Sequence, residues 1–206
     1  MYKIDVSDCK TLVDIYKDAV GIDKAITSNP YYVLIEVLER NFEYVDKMIL
    51  EQREDLTESK VRCEALIISV LRRNENDGST RLSGNTLFKY IKSEYNVPYF
   101  IPMLKDVSVE SDYIYYDEKS RDLSVLDTYL AECKVARFVK DKLANSKKLN
   151  IDWSKYKKVD DFELTDMQLK ELELFCNDSI KILSGVSGSG KTSSVKSLVK
   201  LMEDNN

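Results

Sequence analysis

The stretch Ile180-Lys181-Ile182-Leu183-Ser184-Gly185-Val186-Ser187-Gly188-Ser189-Gly190-Lys191-Thr192 decides how the C-terminal part of this chain is read. From Gly185 to Thr192 it matches G-x-x-x-x-G-K-[ST] in full. Before it, Ile180 to Leu183 is a short run with β character. After it, Val195, Leu198, Val199 and Met202 recur at helical spacing, so strand, loop and helix are expected in that order. Gly185, Gly188 and Gly190 let a backbone turn tightly and present its N–H groups with no Cβ in the way. A helix starting near Lys191 aims the positive end of its dipole at the same point. Such a loop cradles phosphates: the Lys191 ammonium reaches the β- and γ-phosphates and the Thr192 hydroxyl ligates Mg²⁺. The expected contact set is Gly185, Val186, Ser187, Gly188, Ser189, Gly190, Lys191, Thr192 and Ser193, with ATP and Mg²⁺ as ligands and Lys191 and Thr192 as the catalytic pair. At average composition the pattern arises by chance in roughly one chain of this length in a hundred.

Working outward, Leu164-Thr165-Asp166-Met167-Gln168 opens a helix over 166–175. Thr165-x-x-Gln168 has the form of a capping box. A glutamine amide also pairs with N6 and N7 of adenine, so Gln168 is open to two readings, a helix cap or a base contact. Further upstream the charge pattern changes. Between Lys134 and Lys158 there are nine basic residues against two acids, Asp141 and Asp152. This stretch reads either as a solvated helix and linker or as a track along a nucleic-acid backbone, with Lys147, Lys148, Lys157 and Lys158 as the candidate contacts.

The first 130 residues read as mainly helical. One or two helices are expected over 8–26, then Asn29-Pro30 as punctuation. The run Tyr32 to Leu38 gives a helix, and Phe42, Val45, Met48 and Ile49 give a second after a connection near Arg40-Asn41. Ser59 opens a stronger amphipathic helix, with Val61, Ala65, Ile68 and Leu71 on its buried side, stopping before Asn76-Asp77-Gly78. A short strand at Thr80-Arg81-Leu82, a helix over 86–95 and a β-hairpin follow. The hairpin pairs Tyr113–Tyr116 with Leu123–Leu126 around the polar turn 117–122. Helix, strand, helix and hairpin is the order of a winged-helix unit, which binds DNA in some proteins and only packs in others. A last helix is expected over 128–144.

Composition narrows the chemistry. The chain has 206 residues, 43% hydrophobic and 33% charged, with a net charge of −5, which argues against a surface that attracts nucleic acid everywhere. It has no histidine, which excludes histidine-based acid–base catalysis and histidine-ligated metals within it. Its four cysteines, Cys9, Cys63, Cys133 and Cys176, never form a C-x-x-C pair and read as separate thiols of a reducing compartment. No apolar run approaches the roughly 20 residues of a membrane span, and Met1 to Val6 lacks the apolar core of a secretory signal. A cytoplasmic protein without a membrane partner is expected.

Taken together, Leu164-Thr165-x-x-Gln168, Ile182-Leu183-Ser184-Gly185, the glycine loop and Thr192-Ser193-Ser194 resemble the opening of the motor in RecD/TraA-type superfamily 1 DNA helicases. Asn29-Pro30-Tyr31 with Leu34-Ile35, Phe42 and Asp46 looks like the helix-hairpin-helix region preceding that motor. The segment from Ser59 to about Tyr116 is similar to its winged-helix-like segment. The resemblance implies a helical, helix-hairpin-helix-like region over 1–58 and a winged-helix-like region over 59–130. A basic helix and linker over 131–158 and the start of a RecA-like α/β motor over 159–206 would follow. It also implies an ATP-dependent helicase moving 5′ to 3′ on single-stranded DNA, with Gln168 as adenine reader. Single-stranded DNA or a duplex end would be the partner, and proteins of a recombination or repair complex could join it. In two respects the chain departs from the family. Glu39-Arg40-Asn41 stands where hairpin glycines are expected, and no Walker B acid pair or arginine finger follows the loop, Glu203 and Asp204 being on the wrong helix. The chain is therefore expected to be the opening of a longer motor, without appreciable DNA-stimulated ATP turnover alone. Two alternatives stand beside this: a non-catalytic module that docks DNA or protein, and another P-loop enzyme such as a kinase.

Overall fold

The computed structural model describes residues 2, 4–95, 97–145, 151–159, 162–175 and 180–205. It is mainly helical, with a small three-stranded antiparallel sheet. It divides into two compact units, Met1–Ala131 and Glu132–Asn206. Among the described residues no helix is long and apolar enough to cross a membrane.

In the first unit most helices start where a short polar side chain caps them. Asp5 forms a capping box with Asp8 at the head of α1 (Val6–Tyr16), and Asp18 accepts from Gly21 N at the head of α2 (Ala19–Ser28). α3 (Pro30–Tyr32) has Pro30 at its first turn and Asn29 as its cap, then widens into a π-helical turn over Val33–Val37. After the connection 38–41, Asn41 caps α4 (Phe42–Leu50) and Ser59 caps α5 (Lys60–Asn76). α5 is the central element: Cys63, Ala65, Leu66, Ile67, Ile68, Val70 and Leu71 are all buried. A helix apolar on nearly all sides belongs inside.

The expected boundary at 58/59 does not separate two cores. One hydrophobic cluster runs from Tyr31 and Leu34 through Val45 and Ile49 to Leu66, Phe100, Leu123 and Val125. A polar knot crosses it. Arg62 of α5 donates through Nε and Nη2 to the two oxygens of Asp46 on α4, at 2.6 and 2.8 Å, and the Tyr31 hydroxyl donates to Asp46 at 2.7 Å.

The hairpin forms as its turn residues require. β2 (Ile114–Tyr116) pairs antiparallel with β3 (Asp122–Val125), and β3 pairs with β1 (Leu82–Ser83), giving the sheet order β1-β3-β2. Asp117 accepts from the backbone N–H groups of Lys119 and Ser120, which holds its carboxyl below the usual range. α6 (Gly84–Glu94) begins two residues earlier than the apolar pattern suggests, because Ser83 supplies the cap. Two residues of β1 therefore lead straight into it. Between α6 and the hairpin lies a helix that the sequence pattern did not reveal, α7 (Leu104–Glu110).

α8 (Leu126–Ala144) runs across the division between the units, and none of its residues is buried. The second unit continues with a 3₁₀ turn over Trp153–Tyr156, inside the segment expected to be a linker up to Lys158, and with a two-stranded ladder of β4 (Lys158–Val159) and β5 (Phe162–Glu163) that the sequence pattern did not reveal. α9 (Asp166–Phe175) and α10 (Lys191–Asp204) then pack around Leu172 and Leu201, with Tyr156 and Leu164 completing the cluster. The strand expected over 180–183 is absent. These residues form no regular element, and Ile182 is 92% exposed. Among the described residues no neighbouring strand lies beside them, and an isolated strand has no ladder to stabilise it.

Candidate nucleotide-binding site

The loop 185–190 leads directly into α10. Gly188 and Gly190 have φ of +79° and +81°, the left-handed region open to glycine at little cost. Gly185 is fixed differently: a Cβ there would lie 2.8 Å from the Ser189 hydroxyl oxygen. Gly190 is the N-cap of α10, and its carbonyl accepts from the N–H groups of Ser193 and Ser194 at 3.0 and 3.1 Å. The backbone N–H groups of Gly188, Gly190, Lys191 and Thr192 find no protein acceptor among the described residues. Unpaired donors at the positive end of a helix, beside an ammonium, suit a polyphosphate.

Lys191 lies back across the loop, its Nζ donating to the carbonyls of Gly185 and Val186, each at 2.7 Å. The structure thus brings together the expected residues Gly185, Val186, Gly190 and Lys191. Ser187, Ser189 and Thr192 are exposed beside them and Ser193 is half-buried. The Thr192 hydroxyl, the expected Mg²⁺ ligand, makes no hydrogen bond among the described residues. Among those residues no group of three or more acidic or cysteine side chains could hold a metal without further ligands. A magnesium ion here would depend on the nucleotide's own oxygens and Thr192.

Gln168 is placed otherwise than an outward-facing base contact requires. It is buried, and its Oε1 accepts from Thr165 N at 2.9 Å and Thr165 Oγ1 at 3.2 Å. With Thr165 Oγ1 accepting from Gln168 N at 3.3 Å, the capping box is complete. The Nε2 of the same amide donates to the Gly190 carbonyl at 3.2 Å. Two residues that the motif did not flag also seat α10: the buried Ser194 donates to Glu171 of α9 at 3.2 Å. Their spacing carries no signal, since each is an ordinary helix residue until the two helices meet.

Of the four candidate nucleic-acid contacts, the described residues include two, Lys157 and Lys158. Lys147 and Lys148 lie outside the described residues, as does Cys176. Lys158 is exposed on β4, and Lys157 is paired with Glu163 at 3.5 Å. At the connection 38–41, Arg40 turns inward to Asp8 and the Tyr2 carbonyl, while Glu39 occupies φ +52°. The cation there is already engaged, so the connection offers DNA phosphates neither glycine amides nor a free charge. No family model and no curated protein matches this chain.

Proposed function

We propose that this chain binds a magnesium nucleoside triphosphate through Gly185–Thr192, as the entry to the motor of an ATP-dependent DNA helicase of RecD/TraA type. The observation that carries the reading is the pair of left-handed glycines at the mouth of α10, with Lys191 folded over the same loop. In this reading the loop amides and Lys191 hold the phosphates. Thr192 and the nucleotide hold Mg²⁺, which neutralises charge on the transferring phosphoryl group. On ligand arrival the Lys191 ammonium exchanges two carbonyl acceptors for phosphate oxygens, a charge-assisted and stronger interaction. DNA is the proposed partner of the whole motor, and cytoplasm its compartment.

A titration of Mg·ATP into the 206-residue protein tests this. Binding is expected in the wild type, with the amide resonances of residues 185–192 moving. Affinity should drop at least about tenfold in Lys191→Ala, the loss of one charged hydrogen-bonding group. Equal affinity in the two proteins would refute the assignment.

A second reading applies to the first unit. We read α5, β1, α6, α7, β2 and β3, with the sheet order β1-β3-β2, as winged-helix-like; helix-turn-helix units bind DNA by laying a recognition helix in the major groove. Here α7 exposes Asp106 and Glu110 beside Lys105, and the turn carries Asp117 and Glu118 beside Lys119. Residues Met1–Ala131 hold 24 acidic against 17 basic side chains. That balance disfavours a phosphate backbone and favours docking of protein by this unit.

A further inference from the structure

The geometry points to Gln168 as a positioning residue of the phosphate loop, acting through the Gly190 carbonyl, and not as a reader of the base. The inference rests on the phosphate-loop reading and goes beyond it in saying what sets the loop's affinity.

A carboxamide oxygen has two lone pairs, and both of those on Gln168 are taken by Thr165, at 2.9 and 3.2 Å. A bidentate contact to adenine needs that oxygen to accept from N6 while Nε2 donates to N7. Nε2 instead donates to Gly190 at 3.2 Å, and the residue is 7% exposed. The fit is close from the other side too: a Cβ on Gly190 would fall 2.3 Å from Nε2.

What this bond fixes follows from the planarity of the peptide. In a trans peptide the carbonyl of Gly190 and the N–H of Lys191 point in opposite directions within one rigid plane. Three donors converge on that carbonyl, namely Gln168 Nε2 and the N–H groups of Ser193 and Ser194. The two helical donors exist wherever a helix begins. The Gln168 bond is the one that ties the plane to another element, α9, and so aims the Lys191 N–H. That N–H is one of the donors left without a protein acceptor. Preorganising it lowers the cost of ordering the loop around any triphosphate, whatever base is attached.

The test compares Mg·ATP, Mg·GTP and magnesium tripolyphosphate binding to the wild-type 206-residue protein, Gln168→Leu and Thr165→Ala. Thr165→Ala removes the capping hydroxyl but leaves the backbone N–H that holds Gln168 and the bond to Gly190. Gln168→Leu should weaken all three ligands by about the same factor, on the order of tenfold for one preorganising hydrogen bond. It should also move the Lys191 amide resonance in the ligand-free protein, while Thr165→Ala leaves tripolyphosphate affinity unchanged. Selective loss of ATP with GTP and tripolyphosphate retained would overturn the inference in favour of base reading. An equal loss in Thr165→Ala would overturn it in favour of a simple helix cap. A wild-type protein that binds none of the three refutes the phosphate-loop reading itself and the affinity claim with it. An unmoved Lys191 amide in ligand-free Gln168→Leu refutes the strut alone.

Discussion

Replacing Arg62 by Ala tests the polar knot that joins α3, α4 and α5. The Arg62 side chain is 8% exposed and that of Asp46 16%. Burial works against the guanidinium's charge, but the hydrogen bonds and charge of Asp46 outweigh it and hold the group above its ordinary pKa. It therefore stays charged wherever the protein is folded. Arg62 also donates to the Thr57 carbonyl and the Tyr99 hydroxyl, each at 2.6 Å, and lies 5.3 Å from the Phe100 ring centre. Removing one partner of a buried ion pair costs about 3–5 kcal/mol, because the remaining charge is stranded. Asp46 keeps the Tyr31 hydroxyl, which places Arg62→Ala near the lower end, about 3 kcal/mol. That is a large fraction of the roughly 5–15 kcal/mol by which domains are stable. Urea unfolding followed by far-ultraviolet circular dichroism gives the number, and Arg62→Met/Asp46→Leu provides the control. With both charges gone and apolar volume retained, the double variant should recover more than half of the loss. A cost for Arg62→Ala below about 1 kcal/mol, at an unchanged denaturant slope, would refute the argument.

The remaining predictions concern single groups. Cys63 is fully buried, and burial pushes its thiol up to about 12, whereas Cys9 is exposed. An aromatic disulfide reagent at about pH 8 should label Cys9 rapidly and Cys63 only on unfolding, as read by peptide mass mapping. Fast labelling of Cys63 in the native protein would show that the core packing around α5 is wrong. The Tyr95 hydroxyl donates to Glu43 at 2.7 Å. Tyr95 is raised by burial and by that bond. Burial opposes the charge on Glu43, but the bond and neighbouring donors win and lower its pKa. The lowered carboxyl contributes stability above the ordinary carboxylate range and loses it as pH falls through the folded value. The raised phenol contributes below the ordinary phenol range and loses it as pH rises through the folded value. The stability difference between wild type and Tyr95→Phe should therefore be largest near neutrality and shrink at about pH 3 and about pH 11. A difference that stays flat across that range would contradict the pairing.

Much of the first unit was legible because its signals are local. Ser59 marks the start of α5, and Ala65, Ile68 and Leu71 its buried side, with Val61 half-buried, and Asp117 to Asp122 specifies its own turn through side chain and backbone. α7 escaped notice because two turns of helix carry little period: Leu104 and Val107 are its buried apolar residues, and Pro98 and Pro102 just before them read as breakers. The run over 180–183 failed in the opposite sense. Its composition suits a strand, but a strand exists only through its neighbour, and pairing is not encoded in four residues. The bond from Gln168 to Gly190 was beyond any pattern for the same reason, since 22 residues separate them and only the packing of α9 on α10 brings them together.

This contrast separates phosphate binding from phosphoryl chemistry. Holding a triphosphate needs left-handed glycines, a helix mouth and an ammonium, all within eight consecutive residues, so that part of the site forms as soon as α10 forms. Hydrolysis also needs a carboxylate close enough to Thr192 to orient Mg²⁺ and water. Glu203 and Asp204 lie at the far end of α10, about 16–18 Å from Thr192 at about 1.5 Å per residue. Glu171 is engaged by Ser194. In the proposed reading Gly185–Thr192 would hold the triphosphate, while Glu203 and Asp204 are distant along α10 and Glu171 is bonded to Ser194.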